Sequence, residues 1–370
     1  MNVFCKKKAY LLGILLGGCL WLATSWSTQA QKQQSGHALE GAQRHWEHLE
    51  YLIRLKNDIA AASWPDYARE DLTHPTLYYT LNGTFVVNPN PHILQLTNPV
   101  PVPSPDPDWK IYRLPESYTD TLEFQFAISY SEDPDDLYYR ENIMIISSFE
   151  LTQRFVPIAD LQEWAEMVLH ELFHSYQRSI SGYREYFLNL PIPGGPDAFL
   201  GGYHKEQAWY RQSVAQENQL LKDVWKGTMD PQEGIRKYLD LREIRRKRIL
   251  EEYGVDISEI EDYEILTEGH ARYFQSLAKR YMRDHATDTS MLTEAERELI
   301  GNIFAGYEPA EDTGLSDIYN DRYYYQLGYN ISMILEKYLP GYAETLYRTV
   351  FNFNPYLKSL AGKGTAGGNE

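Results

Sequence analysis

The sequence predicts an α+β fold, a small N-terminal sheet lobe ahead of a larger helical lobe. Three observations carry that expectation. Residues 76–150 hold short runs rich in β-branched and aromatic side chains. After Pro157 the apolar residues recur at helical spacing almost to the end. A chain of 370 residues is long enough to bury one large two-lobed core.

Residues 1–30 read as a secretory signal and not as part of the fold. Lys6, Lys7 and Lys8 precede an apolar run over 9–22, and small residues close at Ala30. The run is too short for a membrane span. Leu16-Gly17-Gly18-Cys19 offers an alternative, a lipoprotein cleavage that leaves Cys19 lipidated and supplies the chain's one membrane contact. Either reading predicts export to the periplasm, the cell surface or the medium. Both cysteines, Cys5 and Cys19, fall in this leader, so an exported chain has no disulfide and depends on its core. Removing the three leader lysines lowers the net charge from −17 to −20. So acidic a surface argues against nucleic acid as a partner. Oligomeric state is not encoded in any pattern of the sequence.

The element boundaries follow in order. The N-terminal lobe spans 31–158. Trp46, Leu49, Leu52, Ile53, Ile59 and Ala60 share one face of an opening helix over 37–62. Strands are expected at 77–81, 84–87, 122–128 and 143–146, with Asn82-Gly83 turning the first hairpin. The strand over 143–148 is a candidate to pair with an extended substrate. Proline-rich 88–107 reads as an irregular surface loop. The helical lobe spans 159–361, with 175–263 as an insertion that forms a lid or an added helical layer. Asp160 and Glu163 make a capping box for its first helix. A Pro/Gly-rich loop over 190–202 follows, then helices over 205–226, 231–253, 262–283 and 325–338. Residues 362–370 form a small, polar tail.

The first helix of that lobe carries His170-Glu171-Leu172-Phe173-His174, an H-E-x-x-H sequence. Four residues apart, both imidazoles face one way and can hold one metal ion, and Glu171 lies about 100° around the helix. Two neutral imidazoles and a carboxylate are the donor set of open catalytic zinc sites. The two histidines border the apolar stripe of Leu161, Trp164, Ala165, Val168, Leu172 and Tyr176, so they are expected to line a cleft. The third ligand must come from elsewhere. Glu268 is the first candidate, because Gly269 and Ala271 beside it permit a close helix approach; His204 and Glu217 are fallbacks. His270 lies two positions beyond Glu268 and faces away on a helix, which suits packing better than ligation. Asp262 and Glu264 are candidates to orient a zinc histidine. Five basic residues over 242–248 are interleaved with Glu243 and followed by Glu251 and Glu252, which reads as a solvated helix face.

H-E-L-F-H followed by L-T-E-G-H-A resembles the gluzincin zinc peptidases, in particular the aminopeptidase N-like family with its L-x-E-G-x-A segment. The resemblance covers 164–178, 264–275 and 325–338 and implies a thermolysin-like fold with one zinc ion per chain, held by His170, His174 and Glu268. It further implies that Glu171 is the general base. Tyr325, opening Tyr325-Gln326-Leu327-Gly328, takes the place of the family's oxyanion-binding tyrosine; Tyr323 and Tyr324 compete for that role. The chain departs from the family by the 93 residues between His174 and Glu268. It also lacks a G-x-M-E-N segment, with Glu141-Asn142 its nearest counterpart. Without that amine anchor an endopeptidase is expected over an aminopeptidase, acting on peptide or protein substrates. The rival expectation is a non-catalytic surface protein that binds peptide or glycan in a cleft lined by some of the chain's 30 tyrosines.

Overall fold

A computed structural model describes residues 40–69, 72, 74–104, 106–118, 126–190, 196–285, 294–348 and 351–362. The leader, the alternative site at Cys19 and the tail beyond Gly362 lie outside these residues. In chain order the elements are α1 (Glu40–Ala60), α2 (Pro65–Arg69), β1 (Thr76–Thr80), β2 (Gly83–Val87), α3 (Pro91–Thr97), β3 (Val100–Pro101), β4 (Ile111–Arg113), β5 (Phe126–Ser129), β6 (Ile143–Ser147) and α4 (Phe149–Thr152). There follow α5 (Leu161–Ser179), α6 (Ser181–Asn189), α7 (Pro196–Glu206), α8 (Ala208–Lys226), α9 (Pro231–Tyr253), α10 (Ser258–Asp284), α11 (Glu294–Leu299), α12 (Thr313–Ser316), α13 (Tyr324–Tyr338), α14 (Tyr342–Thr345) and α15 (Asn354–Gly362). The fold is mixed α+β, with one six-stranded sheet.

The chain forms two compact units. One holds the described residues within Met1–Asp58, Tyr67–Ser175 and Asp284–Ala305, the other those within Ile59–Asp66, Tyr176–Arg283 and Gly306–Glu370. The first unit is built on the sheet, in strand order β3-β4-β2-β1-β6-β5. Strand alternation divides its faces. Leu77 of β1 and Ile143 and Ile145 of β6 join Val86, Ile93, Leu114 and Ala127 in one buried cluster. Tyr78 points to the opposite face, against Trp46 of α1 at 5.6 Å between ring centroids, and its hydroxyl donates to the His45 carbonyl at 3.0 Å. Helix α5 is tied to the sheet by the Trp164 indole, which donates to the Ser147 carbonyl at 3.0 Å. Asp160 caps the N-terminus of α5 as expected, accepting from the Glu163 amide at 3.1 Å, but Glu163 reaches back to the Ala159 amide and not to that of Asp160.

Three features of this unit differ from the sequence expectation. Residues 88–107 are not wholly irregular, because they contain α3 and β3. Pro91 sits at the first helical position, where its missing N–H costs nothing, and Asn90 caps the Ile93 amide at 2.8 Å. The prolines that suggest a loop flank ordered elements. The first hairpin turns at Leu81-Asn82, and Gly83, with φ +130°, is already the first residue of β2. Strand β6 cannot accept an added strand, since it lies between β1, parallel to it, and β5, antiparallel; β5 is the edge of the sheet on that side.

The second unit is helical. Helices α8 and α9 form a hairpin: Gly227 ends α8 at φ +79°, and Asp230 caps the Glu233 amide at 2.9 Å just before Pro231. The 190–202 stretch, expected as a loop, contains the start of α7. A larger correction concerns the basic run. Arg242, Arg245 and Arg246 are buried on α9, not solvated. Arg245 pairs in a two-pronged fashion with Glu217 of α8, at 2.7 and 2.8 Å, and reaches Glu261 of α10 at 2.6 Å. Arg246 pairs with Glu261 at 2.7 Å and with Asp262 at 2.6 Å. Three guanidinium groups thus meet three carboxylates, and the charge balances. Burial works to raise the pKa of Glu261, but the two guanidinium groups outweigh it and hold the carboxyl well below the usual range.

Candidate metal centre

Helix α5 presents His170 and His174 one turn apart, both buried. Their Nε2 atoms lie 3.2 Å from each other, with the rings nearly perpendicular. Two imidazole nitrogens so placed either share one proton or face one cation. Ligands about 2.1 Å from a tetrahedral zinc ion stand roughly 3.4 Å apart, so the spacing fits a cation. Glu268 of α10 completes the group: one donor atom from each of His170, His174 and Glu268 lies within 4.8 Å of the others, and all three residues are buried. Among the described residues this is the one gathering of three or more such side chains. It can hold a metal ion. Glu171 is buried as well.

The glycine in L-T-E-G-H-A has a clear task. A Cβ on Gly269 would stand 2.2 Å from the Gly328 Cα, and one on Gly328 would stand 1.9 Å from the Ile265 carbonyl oxygen. Helices α10 and α13 therefore cross backbone against backbone, at the glycine of each motif. Only residues without a Cβ permit that approach. The crossing sets the helix of Glu268 against the helix that begins at Tyr324.

Of the three adjacent tyrosines, Tyr323 is engaged elsewhere. Its hydroxyl bonds Glu261 and, at 2.6 Å, Tyr210, and burial together with Glu261 raises its pKa well above 10. Tyr324 is fully buried. Tyr325 lies under the Arg272 guanidinium, 4.8 Å from its ring centroid. Arg272 is itself anchored on the Gly314 carbonyl at 2.8 Å.

The remaining candidates fall outside the group. Glu217 is committed to Arg245. His204 stacks on Tyr323, and burial pushes its pKa down to about 4. The oxygens of Asp262 are taken by Arg242, Arg246 and Asn354, so it is not placed to orient a zinc histidine. Glu264 is buried on α10 and is not among the gathered donors. Glu141, the weak counterpart of an amine anchor, accepts from Asn90. His270 packs away from the group, as its helix position implies. Its Nδ1 is 2.9 Å from the Tyr347 hydroxyl and its Nε2 is 3.3 Å from that of Tyr342, and burial lowers its pKa to about 3.

Sequence reasoning missed Tyr347 and Tyr342, which contact His270, and Gln177, which donates to Tyr347. Gln177 follows His174 by three positions, and that spacing is the signal that could have found it. Many tyrosines serve the core: Tyr78, Tyr183, Tyr210, Tyr238 and Tyr329 are fully buried. No helix among the described residues is long and apolar enough to cross a membrane. No family model, characterised relative or solved structure matches the chain.

Proposed function

We propose that this chain is an exported zinc metallopeptidase of gluzincin type with a thermolysin-like arrangement, cleaving peptide bonds within a chain. The observation that carries the reading is the gathering of His170, His174 and Glu268 from two helices into one buried donor set. The donors are borderline-soft nitrogens and one carboxylate oxygen, in the number that leaves a fourth position for solvent or substrate. Zinc bound there would supply a Lewis acid that polarises a carbonyl and makes water a nucleophile near neutral pH.

The chain's own residues supply the rest. Glu171 follows a ligand directly, so its carboxylate is the base that accepts a proton from the attacking water and returns it to the leaving amine. Burial of that carboxylate keeps it from bulk solvent. Tyr325 donates its hydroxyl proton as a hydrogen bond to the oxyanion, and Arg272 over its ring favours that donation by stabilising negative charge on the phenol. Residues 1–30 direct export. A glycan- or peptide-binding surface protein finds less support, since so many of the tyrosines it would use are core residues.

Metal analysis tests the reading, followed by digestion of a peptide library with and without a chelator. About one zinc per chain and chelator-sensitive internal cleavage are expected. Metal-free protein, or cleavage indifferent to the chelator, overturns it.

A further inference from the structure

Behind the donor group runs a chain of buried hydrogen bonds with a single consistent direction. Gln177, on the last turn of α5, has two amide protons and two acceptors. One is the Thr267 carbonyl at 3.1 Å, the other the Tyr347 hydroxyl oxygen at 2.6 Å. With its oxygen accepting, Tyr347 donates to His270 Nδ1 at 2.9 Å. The opposite ring nitrogen of His270 then carries the proton and faces the Tyr342 hydroxyl at 3.3 Å. Tyr342 also comes near Ser332, whose hydroxyl donates to the Gly328 carbonyl at 2.9 Å. Because Tyr347 accepts from Gln177 and gives its own proton to Nδ1, the tautomer of His270 is fixed by its neighbours.

The residues that the path joins are informative. It starts three positions after His174, touches the peptide immediately before Glu268 and the side chain two positions after it, and ends at Tyr342. A second observation singles out Tyr347. Its backbone is left-handed, at φ +67°, a conformation disfavoured for a bulky residue. Strain of that kind persists only where the surroundings hold it in place. Here the strained residue delivers the one hydroxyl that links Gln177 to His270.

We infer that Gln177, Tyr347 and His270 are positioning residues that hold Glu268 in register to bind metal. The inference rests on the metal site proposed above and deepens it. Partners behind the ligands of metal sites typically contribute ten- to a hundredfold in affinity. Core packing alone predicts no such effect from loss of a single hydroxyl that leaves the ring in place.

The test is Tyr347→Phe, with Gln177→Leu as a second variant should the first fail to fold. Tyr78→Phe serves as a control that removes an equally buried hydroxyl bonded to the His45 carbonyl. Zinc affinity is measured by competition with a chromophoric chelator, and the visible spectrum is recorded with cobalt(II) in place of zinc. The metal-free melting temperature reports on packing. Tyr347→Phe and Gln177→Leu are expected to weaken zinc binding ten- to a hundredfold and to alter the cobalt spectrum, with Tyr78→Phe unchanged in both. Wild-type affinity and spectrum in the two variants overturn the inference and leave the metal site standing. An equal loss in Tyr78→Phe also overturns it. A wild-type chain that takes up no zinc overturns the metal site itself, and the inference with it.

Discussion

Replacing Gly269 by alanine tests the helix crossing directly. At an exposed helical position the exchange would stabilise the protein by up to about 1 kcal/mol, because alanine is the better helix former. Here the new methyl would meet the Gly328 Cα at 2.2 Å, the Gly328 carbonyl carbon at 2.4 Å and the Tyr329 nitrogen at 2.8 Å. All three are backbone atoms, so no side-chain rotation relieves the overlap. Restoring ordinary contact requires α10 and α13 to part by more than about 1 Å. Overpacking of this kind costs typically 1–3 kcal/mol and occasionally more, and rigid neighbours place this site at the upper end. After subtracting the helix gain, a net loss of about 2 kcal/mol is expected, or roughly 3 °C in melting temperature for a chain of this size. Gly328→Ala should be worse, since its methyl would stand 1.9 Å from the Ile265 carbonyl oxygen. Calorimetry of the metal-free proteins gives the stability, and zinc titration shows whether the displacement also reaches Glu268. A Gly269→Ala protein as stable as wild type, binding zinc equally well, would refute the reasoning.

Other outcomes follow from the same geometry. Glu171→Gln should retain zinc within error while slowing peptide cleavage by at least a hundredfold; unchanged turnover would remove Glu171 as the base. Glu268→Ala should bring zinc content from about one per chain to near zero after dialysis, measured by atomic absorption. Arg245→Met strands Glu217 in the interior and leaves Glu261 with Arg246 alone of its two guanidinium partners, and should cost about 3–5 kcal/mol in urea unfolding. Arg248→Ala, which loses an exposed pair with Glu252 and the guanidinium over the Trp209 ring, should cost only about 1 kcal/mol. His204 provides a pH test. Its imidazole protonates near pH 6.5 when unfolded but only near 4 when folded, so its stabilising share is complete above about pH 6.5 and disappears as the pH falls toward 4. His204→Phe keeps a ring on Tyr323 and should unfold with a shallower pH dependence across that window; parallel wild-type and variant curves would exclude the effect.

Local patterns were legible in the sequence, and distant pairings were not. The cap at Asp160, the H-E-x-x-H helix and the first hairpin all rest on neighbours within a few residues, and all are present in the structure. Glu268 could be named, but Gly269 was expected to bring its helix close to the helix of His170 and His174, whereas it packs on Gly328 of α13. The arginines of α9 were misread for a definite reason. Glu243, Glu251 and Glu252 are near in sequence and suggested a solvated face, whereas the true partners of Arg245, Glu217 and Glu261, lie 28 and 16 residues away. A better reading was available. Ile235, Tyr238, Arg242, Arg245, Arg246 and Ile249 recur at three- and four-residue steps, so the arginines belong to the same stripe as the apolar residues. The helix within 88–107 was hidden by treating proline only as a breaker, when Pro91 after Asn90 is a starting signal.

The arginine–carboxylate cluster also limits how the stretch between His174 and Glu268 can be engineered. Excising α8 and α9 would leave Glu261 and Asp262 without their countercharges, seven and six residues ahead of the candidate ligand on the same helix. A shortened protein would therefore fail by misfolding before it could reveal what the segment contributes to the proposed activity. Point changes on the outward side of α9, such as at Ile244 or Lys247, leave that ionic seam intact and are the sounder way to probe the segment.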